Sequence, residues 1–420
     1  MPDSAKKFRS DVAWNIGSLA IAGGSGIVLN VLIGLVYDAA ALGVFNQVFA
    51  AYILGSQVAA LGVHHSVLQQ VAAAEERSGR AAATTSGLAV AIALGVAVAG
   101  MFALAAPLIG SLVSSPDVGT GVLYVVPALL FFAVDKITLG AINGARRMRW
   151  YALLQGARVG LMLPAFAICA LLEVDRSVLP VIITAAEGVT LVLSLVCIRD
   201  LLTRLPSADL LRRAKDHLAF GAKGFMSGVL AELNTRVDVL MLGYFSTDTV
   251  VGIYSFAAII AEGLFQLLVV FRTNYAPLCA RLLATDEHEE LSGLIRRGRN
   301  RTYLASIAVA AAAVAAYTFV LPLIIHSPIA TESASYFAVL IAGMALVSGY
   351  IPFSQLLLHA RFPGWHTYLM LATAAVNLIA NVILIKTIGP IGAAVGTSIA
   401  FVSMIVLLNV LVRRLTGLKI

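Results

Sequence analysis

The feature that most constrains this chain is the return, from end to end, of apolar runs about 20 residues long with few charges. A helix needs that length to cross a ~30 Å hydrocarbon core. In hydrocarbon every backbone N–H and C=O must be satisfied within its own segment, so runs of this kind are helices. Composition agrees: only 12% of residues are charged and 60% are hydrophobic, whereas a soluble domain carries roughly 25% charge. The expected fold class is an all-α polytopic membrane protein with about twelve transmembrane helices.

The spans fall near 12–36, 42–64, 86–113, 119–142, 151–172, 178–198, 218–244, 249–271, 302–325, 335–358, 364–385 and 390–412. Lys6, Lys7 and Arg9 precede the first run as they would in a signal peptide, but the run is too long for a signal's apolar region. An even number of spans puts both ends on one side. With the ends inside, inner segments hold 23 of the 29 lysines and arginines, and outer loops hold only Arg176 and Lys386. Basic residues collect on the cytoplasmic side, so both termini are expected there, in a multi-pass protein of the cytoplasmic membrane. The net charge of +7 is then an orientation signal and calls for no nucleic acid. Trp14, Trp150 and Trp365 each open a span on the inner side, where an indole keeps its N–H wet. Cys169, Cys197 and Cys279 lack metal-site or disulfide-framework spacing and read as packing residues.

The basic stretch 204–217, interrupted by Pro206, separates an N-terminal six-helix lobe, 1–203, from a C-terminal one, 218–420. The segment 285–301 is expected to be helical and solvated. Two echoes suggest parallel repeats about an axis along the membrane normal. Leu42-Gly-Val-Phe opens span two and Val251-Gly-Ile-Tyr opens span eight. Asn143-Gly-Ala-Arg ends span four and Leu358-His-Ala-Arg ends span ten.

Nine ionisable residues fall within the spans: Asp135, Lys136, Arg158, Glu187, Lys223, Glu232, Arg236, Asp238 and Glu262. Each costs ~2.5–3.5 kcal/mol at a helix centre facing lipid. Those too deep to reach an interface must face water or one another. In span seven Glu232 and Arg236 share a face and are spaced to pair, while Lys223, Ser227, Asn234 and Asp238 lie on nearly the opposite face. Ser255, Glu262 and Gln266 align in span eight, and Asn46, Gln57 and His64 in span two. The plainer reading of Glu232–Arg236 and Asp135–Lys136 is that they fix helix packing. His64 and His65 read as interfacial rather than metal-binding. Gly23-Gly-Ser-Gly sits inside an apolar span without a strand before it, so it reads as close helix packing rather than a phosphate loop.

Several of these segments carry a resemblance. Leu42-Gly-Val-Phe-Asn-Gln with Ala60-Leu-Gly-Val, Ala141-Ile-Asn-Gly-Ala-Arg-Arg with Tyr151, Arg236-Val-Asp-Val-Leu-Met-Leu-Gly-Tyr-Phe with Val251-Gly-Ile-Tyr, and Gly389-Pro-Ile-Gly-Ala-Ala-Val-Gly resemble the polysaccharide transporter family. These are the Wzx-like flippases of the MOP exporter superfamily. The resemblance covers essentially the whole chain and marks fold more firmly than substrate. It implies two six-helix lobes around a central cavity lined by spans one, two, seven and eight. It also implies movement of a polyprenyl-pyrophosphate-linked oligosaccharide from the inner to the outer leaflet.

The substrate's anionic head would call for cations, and Arg236, Lys136, Arg158 and Lys223 are available, with Asn46, Gln57, Asn234 and Gln266 for sugar hydroxyls. No cofactor is expected. No GxxxxGK[ST] segment is present, so transport runs downhill or is ion-coupled, with Glu187, Glu232, Asp238 and Glu262 as candidates for proton or sodium coupling or for ion pairs. Expected partners are the lipid-linked oligosaccharide and membrane lipid, with a polysaccharide polymerase and glycosyltransferases as further candidates. The nearest alternative is a multidrug/cation antiporter of the same superfamily, against which the lack of an acid in 12–36 counts. A membrane-embedded polymerase or ligase ranks third, because the outer loops are short.

Overall fold

The computed structural model of the chain describes the backbone of residues 2–285 and 287–418. Lys419, and the side chains of Lys6, Lys7, Arg9 and Ser227, lie outside the described residues. The helices are α1 Pro2–Val36, α2 Ala39–Ala60, α3 Val63–Ala73, α4 Arg77–Leu112, α5 Pro116–Gly144, α6 Met148–Gly160, α7 Met162–Leu171 and α8 Val181–Ile198. They continue as α9 Ser207–Phe245, α10 Asp248–Ala284, α11 His288–Ala315, α12 Leu321–Ile324, α13 Pro328–Glu332, α14 Ala334–Val347, α15 Leu356–His359, α16 Pro363–Ile388 and α17 Ile391–Thr416.

Among the described residues ten segments are long and apolar enough to cross a membrane, α6 and α7 counting as one. An eleventh is formed by α14 and Ile351–His359, joined by a 58° bend. The remaining expected span is α9. Its 39 residues are ample in length, but Lys223, Glu232, Arg236 and Asp238 keep it out of the apolar class. Large apolar side chains stand outward on the helices, with Leu104 86% and Leu171 84% exposed. A surface of that kind is stable against lipid and not against water. The protein is a multi-pass membrane protein, all-helical in its regular structure among the described residues.

Two expectations change in detail. Span two does not run on to residue 64. It stops at Ala60, where Leu61 and Gly62 take positive φ of 40° and 68°, and α3 restarts with His64 in its first turn. A left-handed pair cannot continue a right-handed helix. The segment read as a linker is helical from Ser207 onward, because α9 runs unbroken into span seven. The stretch 285–301 is helical from His288, as expected.

The chain forms two compact units. The first runs to Tyr37 and resumes over Val44–Glu232; the second takes Asp38–Gly43 and everything from Leu233 onward. The division therefore falls inside α9.

Both sequence echoes have a structural counterpart. After α5, Arg146 has φ 56°, its N–H donates to Asn143 O at 2.9 Å, and Arg147 N–H donates to Ile142 O at 3.0 Å. After α15, Arg361 has φ 64°, its N–H donates to Leu358 O at 3.1 Å, and Phe362 N–H donates to Leu357 O at 2.8 Å. The same left-handed stop closes both helices. The other echo is a contact. Gly43, at the start of α2, packs on the Asp248 carbonyl, and Gly252, at the start of α10, packs on the Ala39 carbonyl. A Cβ at either glycine would collide with backbone, so the two motifs are glycine because they touch.

Candidate functional site

The charges buried in the first unit gather into one cluster. Asp135 and Lys136 come from α5, Arg158 from α6, Glu187 from α8 and Tyr52 from α2. Asp135, Glu187 and Tyr52 are fully buried. Arg158 Nε lies 3.1 Å from Glu187 Oε1, and Tyr52 donates its hydroxyl to the same oxygen at 2.7 Å. Ser194 donates to Asp135 Oδ1 at 2.7 Å. The Phe132 ring serves both cations, with the Arg158 guanidinium 4.7 Å and Lys136 Nζ 5.2 Å from its centre. Two acids and two bases are thus buried together, so that each charge has an opposite charge near it. Glu232 acts electrostatically on Lys136 and Arg158 from the α9 half of the same unit. Asp135 Oδ2 and Glu187 Oε2 remain without a hydrogen-bond partner. A buried carboxyl oxygen left open is where a proton or cation can be received.

The second unit holds two further polar groups. Asp238 on α9 is 7% exposed. Its Oδ1 accepts from the Val239 amide at 2.8 Å, and its Oδ2 accepts from the Tyr254 and Thr397 hydroxyls. Beside it on α9, Asn234 accepts from Asn377 Nδ2 through its side-chain oxygen at 3.2 Å and its carbonyl at 3.1 Å. Asn377 in turn accepts from Asn381 Nδ2 at 2.8 Å. Each residue sits one helical turn from the next on its own helix. The result is an oxygen-rich core joining α9, α10, α16 and α17.

The second group is more open. Arg236 Nη1 lies 3.8 Å from Glu262 Oε2, with side chains 18% and 39% exposed. Gln266, one turn beyond Glu262, is also exposed. Glu262 stands about 14 residues into α10, ~21 Å along it. A carboxylate exposed at that depth cannot face hydrocarbon, so this face of α10 is wet.

The remaining sequence candidates are scattered. Asn46 donates to Asn30 Oδ1 at 2.8 Å in a buried bond between α2 and α1. Gln57 is half-buried on α2 and Lys223 exposed on α9. The His64 and His65 rings lie 4.0 Å apart at the start of α3. Spacing within α9 suggested Glu232 for Arg236; the structure places Glu262 of α10 beside Arg236. The Arg158–Glu187 pair was missed, because residues on separate spans carry no spacing signal.

The family model described as "Polysaccharide biosynthesis protein" matches residues 8–283. No curated protein sequence matches the chain. Among solved structures, the lipid II flippase MurJ in an inward closed conformation superposes with a TM-score of 0.76 at 14% identity, over 96% of this chain and 87% of that one. An inward-facing multidrug resistance MATE family transporter of the MOP superfamily gives 0.74 at 16% identity, over 93% and 92%. A Vibrio cholerae MATE transporter gives 0.58 at 16% identity, over 98% of each chain.

Proposed function

The chain belongs to the polysaccharide biosynthesis protein family, and from that premise we propose that it is a flippase for a polyprenyl-pyrophosphate-linked oligosaccharide, carried from the inner to the outer leaflet of the cytoplasmic membrane. Both termini face the cytoplasm in this reading. The sugars cross on wet protein faces while the lipid tail stays in the bilayer. The product would pass to a polymerase outside, after glycosyltransferases have built it inside.

The observation that carries the reading is the wet pair Arg236–Glu262. At 3.8 Å the contact is near the limit of an ion pair, and a guanidinium so held can exchange its partner for a pyrophosphate, which it binds bidentately. Exposed Gln266 on the same face offers an amide to sugar hydroxyls. The multidrug antiporter reading fits less well, since the first span, 12–36, carries no acid. The buried acids supply the coupling. Asp135 and Glu187 in the first unit and Asp238 in the second are the groups at which a proton or sodium ion would be taken up and released.

The orientation is tested with a reporter active only outside the cytoplasm. Fused after Leu418 it is expected to be silent, and fused near Ser115 it is expected to be active; the reverse overturns the topology. The transport role is tested at Arg236. Arg236→Ala is expected to reach the membrane in near-normal amount yet leave lipid-linked oligosaccharide in the inner leaflet. Arg236→Lys keeps the charge but loses the fork, and is expected to be partly active. Surface polysaccharide per folded molecule is the readout. Full transport by Arg236→Ala would remove this residue from the substrate path and leave Lys136, Arg158 and Lys223 as the cations to test.

A further inference from the structure

The cluster of charges in the first unit is short of one hydrogen-bond donor. Glu187 Oε1 accepts from the Tyr52 hydroxyl at 2.7 Å and meets Arg158 at 3.1 Å. Asp135 Oδ1 accepts from Ser194 at 2.7 Å. Among the described residues no donor reaches the other two oxygens, Glu187 Oε2 and Asp135 Oδ2. Yet the two carboxyl groups lie within hydrogen-bonding reach of each other, and both residues are fully buried. Ionised carboxylates are acceptors only, so at this approach two of them repel. One proton supplies the missing donor and removes the repulsion.

The charge count agrees. Asp135, Glu187 and Glu232 oppose Lys136 and Arg158, three acids to two bases, so one proton brings the set to neutrality. From α3 the His64 and His65 rings act on Lys136. The other helix packed on α5, α4, is ionisable in its first turn alone, at Arg77 and Arg80. Within the carboxyl pair the proton belongs on Asp135. Glu187 is held as an anion by a guanidinium and a phenol, whereas Asp135 has a single hydroxyl. A sodium ion fits the pair poorly. Hard cations take a shell of several oxygens, and one held by Glu187 would adjoin Arg158 and face Lys136. Salt screens such repulsion little in a buried site.

We infer that Asp135 and Glu187 share one proton, carried on Asp135 and donated to Glu187, and that this pair exchanges protons while excluding sodium. The inference rests on the ion coupling of the flippase reading and names the ion taken at this site. With the proton in place the cluster is neutral and its open oxygens are joined. Without it, one buried negative charge is uncompensated, so loss of the proton favours a rearrangement of the helices that carry the pair. The Arg158 side chain is 20% exposed, which gives water and the proton an approach.

The test is infrared difference spectroscopy of the full chain in phosphatidylcholine nanodiscs, between neutral and alkaline pH, where exposed carboxyls stay ionised throughout. A protonated-carboxyl band is expected at neutral pH and is expected to fade as the pH rises. It should shift in D2O and on labelling aspartate with 13C at the side-chain carboxyl, which assigns it without a variant. Replacing choline chloride by sodium chloride should leave it in place. Asp135→Asn should remove the band at near-parental yield, since the amide still donates to Glu187. Asp238, 7% exposed, is the other buried aspartate among the described residues, and Asp238→Asn should keep the band. An absent band, a band abolished by sodium, or one lost in Asp238→Asn and kept in Asp135→Asn would each overturn the site. Because the band reads protonation without transport, the two readings fail separately. A sodium-insensitive band in a chain that moves no oligosaccharide retires the flippase, and an active flippase without the band retires the shared proton.

Discussion

Arg158→Ala is expected to remove most of the folded protein. Its guanidinium lies 3.1 Å from the fully buried Glu187, whose other oxygen has no hydrogen-bond partner, and Asp135 is buried in the same cluster. Removing the cation leaves two carboxyls facing Lys136 alone. Breaking a buried pair from one side costs about 3–5 kcal/mol, because the surviving charge stays desolvated. Adding Glu187→Gln should recover much of that loss, since it removes the buried carboxylate that Arg158 paired with. The recovered protein is expected to transport poorly, having lost a carboxyl proposed to carry the coupling ion. Detergent-solubilised yield and thermal unfolding measure the first effect, and surface polysaccharide per folded molecule the second. An Arg158→Ala protein as stable as the parent would show that the cluster is solvated and not a balanced buried set.

Gly252→Ala is the second large effect, and it adds only a methyl group. That methyl would collide with the Ala39 carbonyl, just as one at Gly43 would collide with the Asp248 carbonyl. Backbone atoms cannot rotate aside as a flexible side chain can, so the starts of α2 and α10 must separate. Overpacking of this kind costs about 3 kcal/mol. Gly100→Ala is the control: it lies in α4 with open space around its Cβ position. There the change should be neutral or slightly stabilising, because alanine suits a helix better than glycine. Equal melting temperatures for Gly252→Ala and Gly100→Ala would mean that the close approach is not kept in the membrane.

Much of the fold could be read from the chain because its causes are local. Span length follows from bilayer thickness, and the echoed turns at Arg146 and Arg361 from one left-handed stop used twice. The break in span two was harder to see, because its one signal is Gly62 beside Leu61, a single glycine in an apolar run that reads as close helix packing. The break of span ten at Ser348–Tyr350 carries its own signal, Gly349 with Pro352 three residues on. The site was legible as a set of residues but not as an arrangement. The energetic argument found the charges that had to be satisfied. Which charges meet depends on helix packing, so Arg158 with Glu187 and Arg236 with Glu262 needed the structure. Asn377, Asn381 and Thr397 escaped notice, since neutral polar residues in an apolar span resemble ordinary packing.

The central claim is that this protein moves a lipid-linked oligosaccharide across the bilayer, and purified chain in liposomes tests it most directly. Vesicles carry a fluorescent polyprenyl-pyrophosphate oligosaccharide in both leaflets, and a membrane-impermeant quencher is added outside under an imposed proton or sodium gradient. The account predicts that the protected inner-leaflet signal decays much faster with the chain than without it, that collapsing the gradient slows the decay, and that Arg236→Ala returns it to the protein-free rate. A protected fraction that persists as in empty liposomes, under either gradient and with folded protein present, would contradict it.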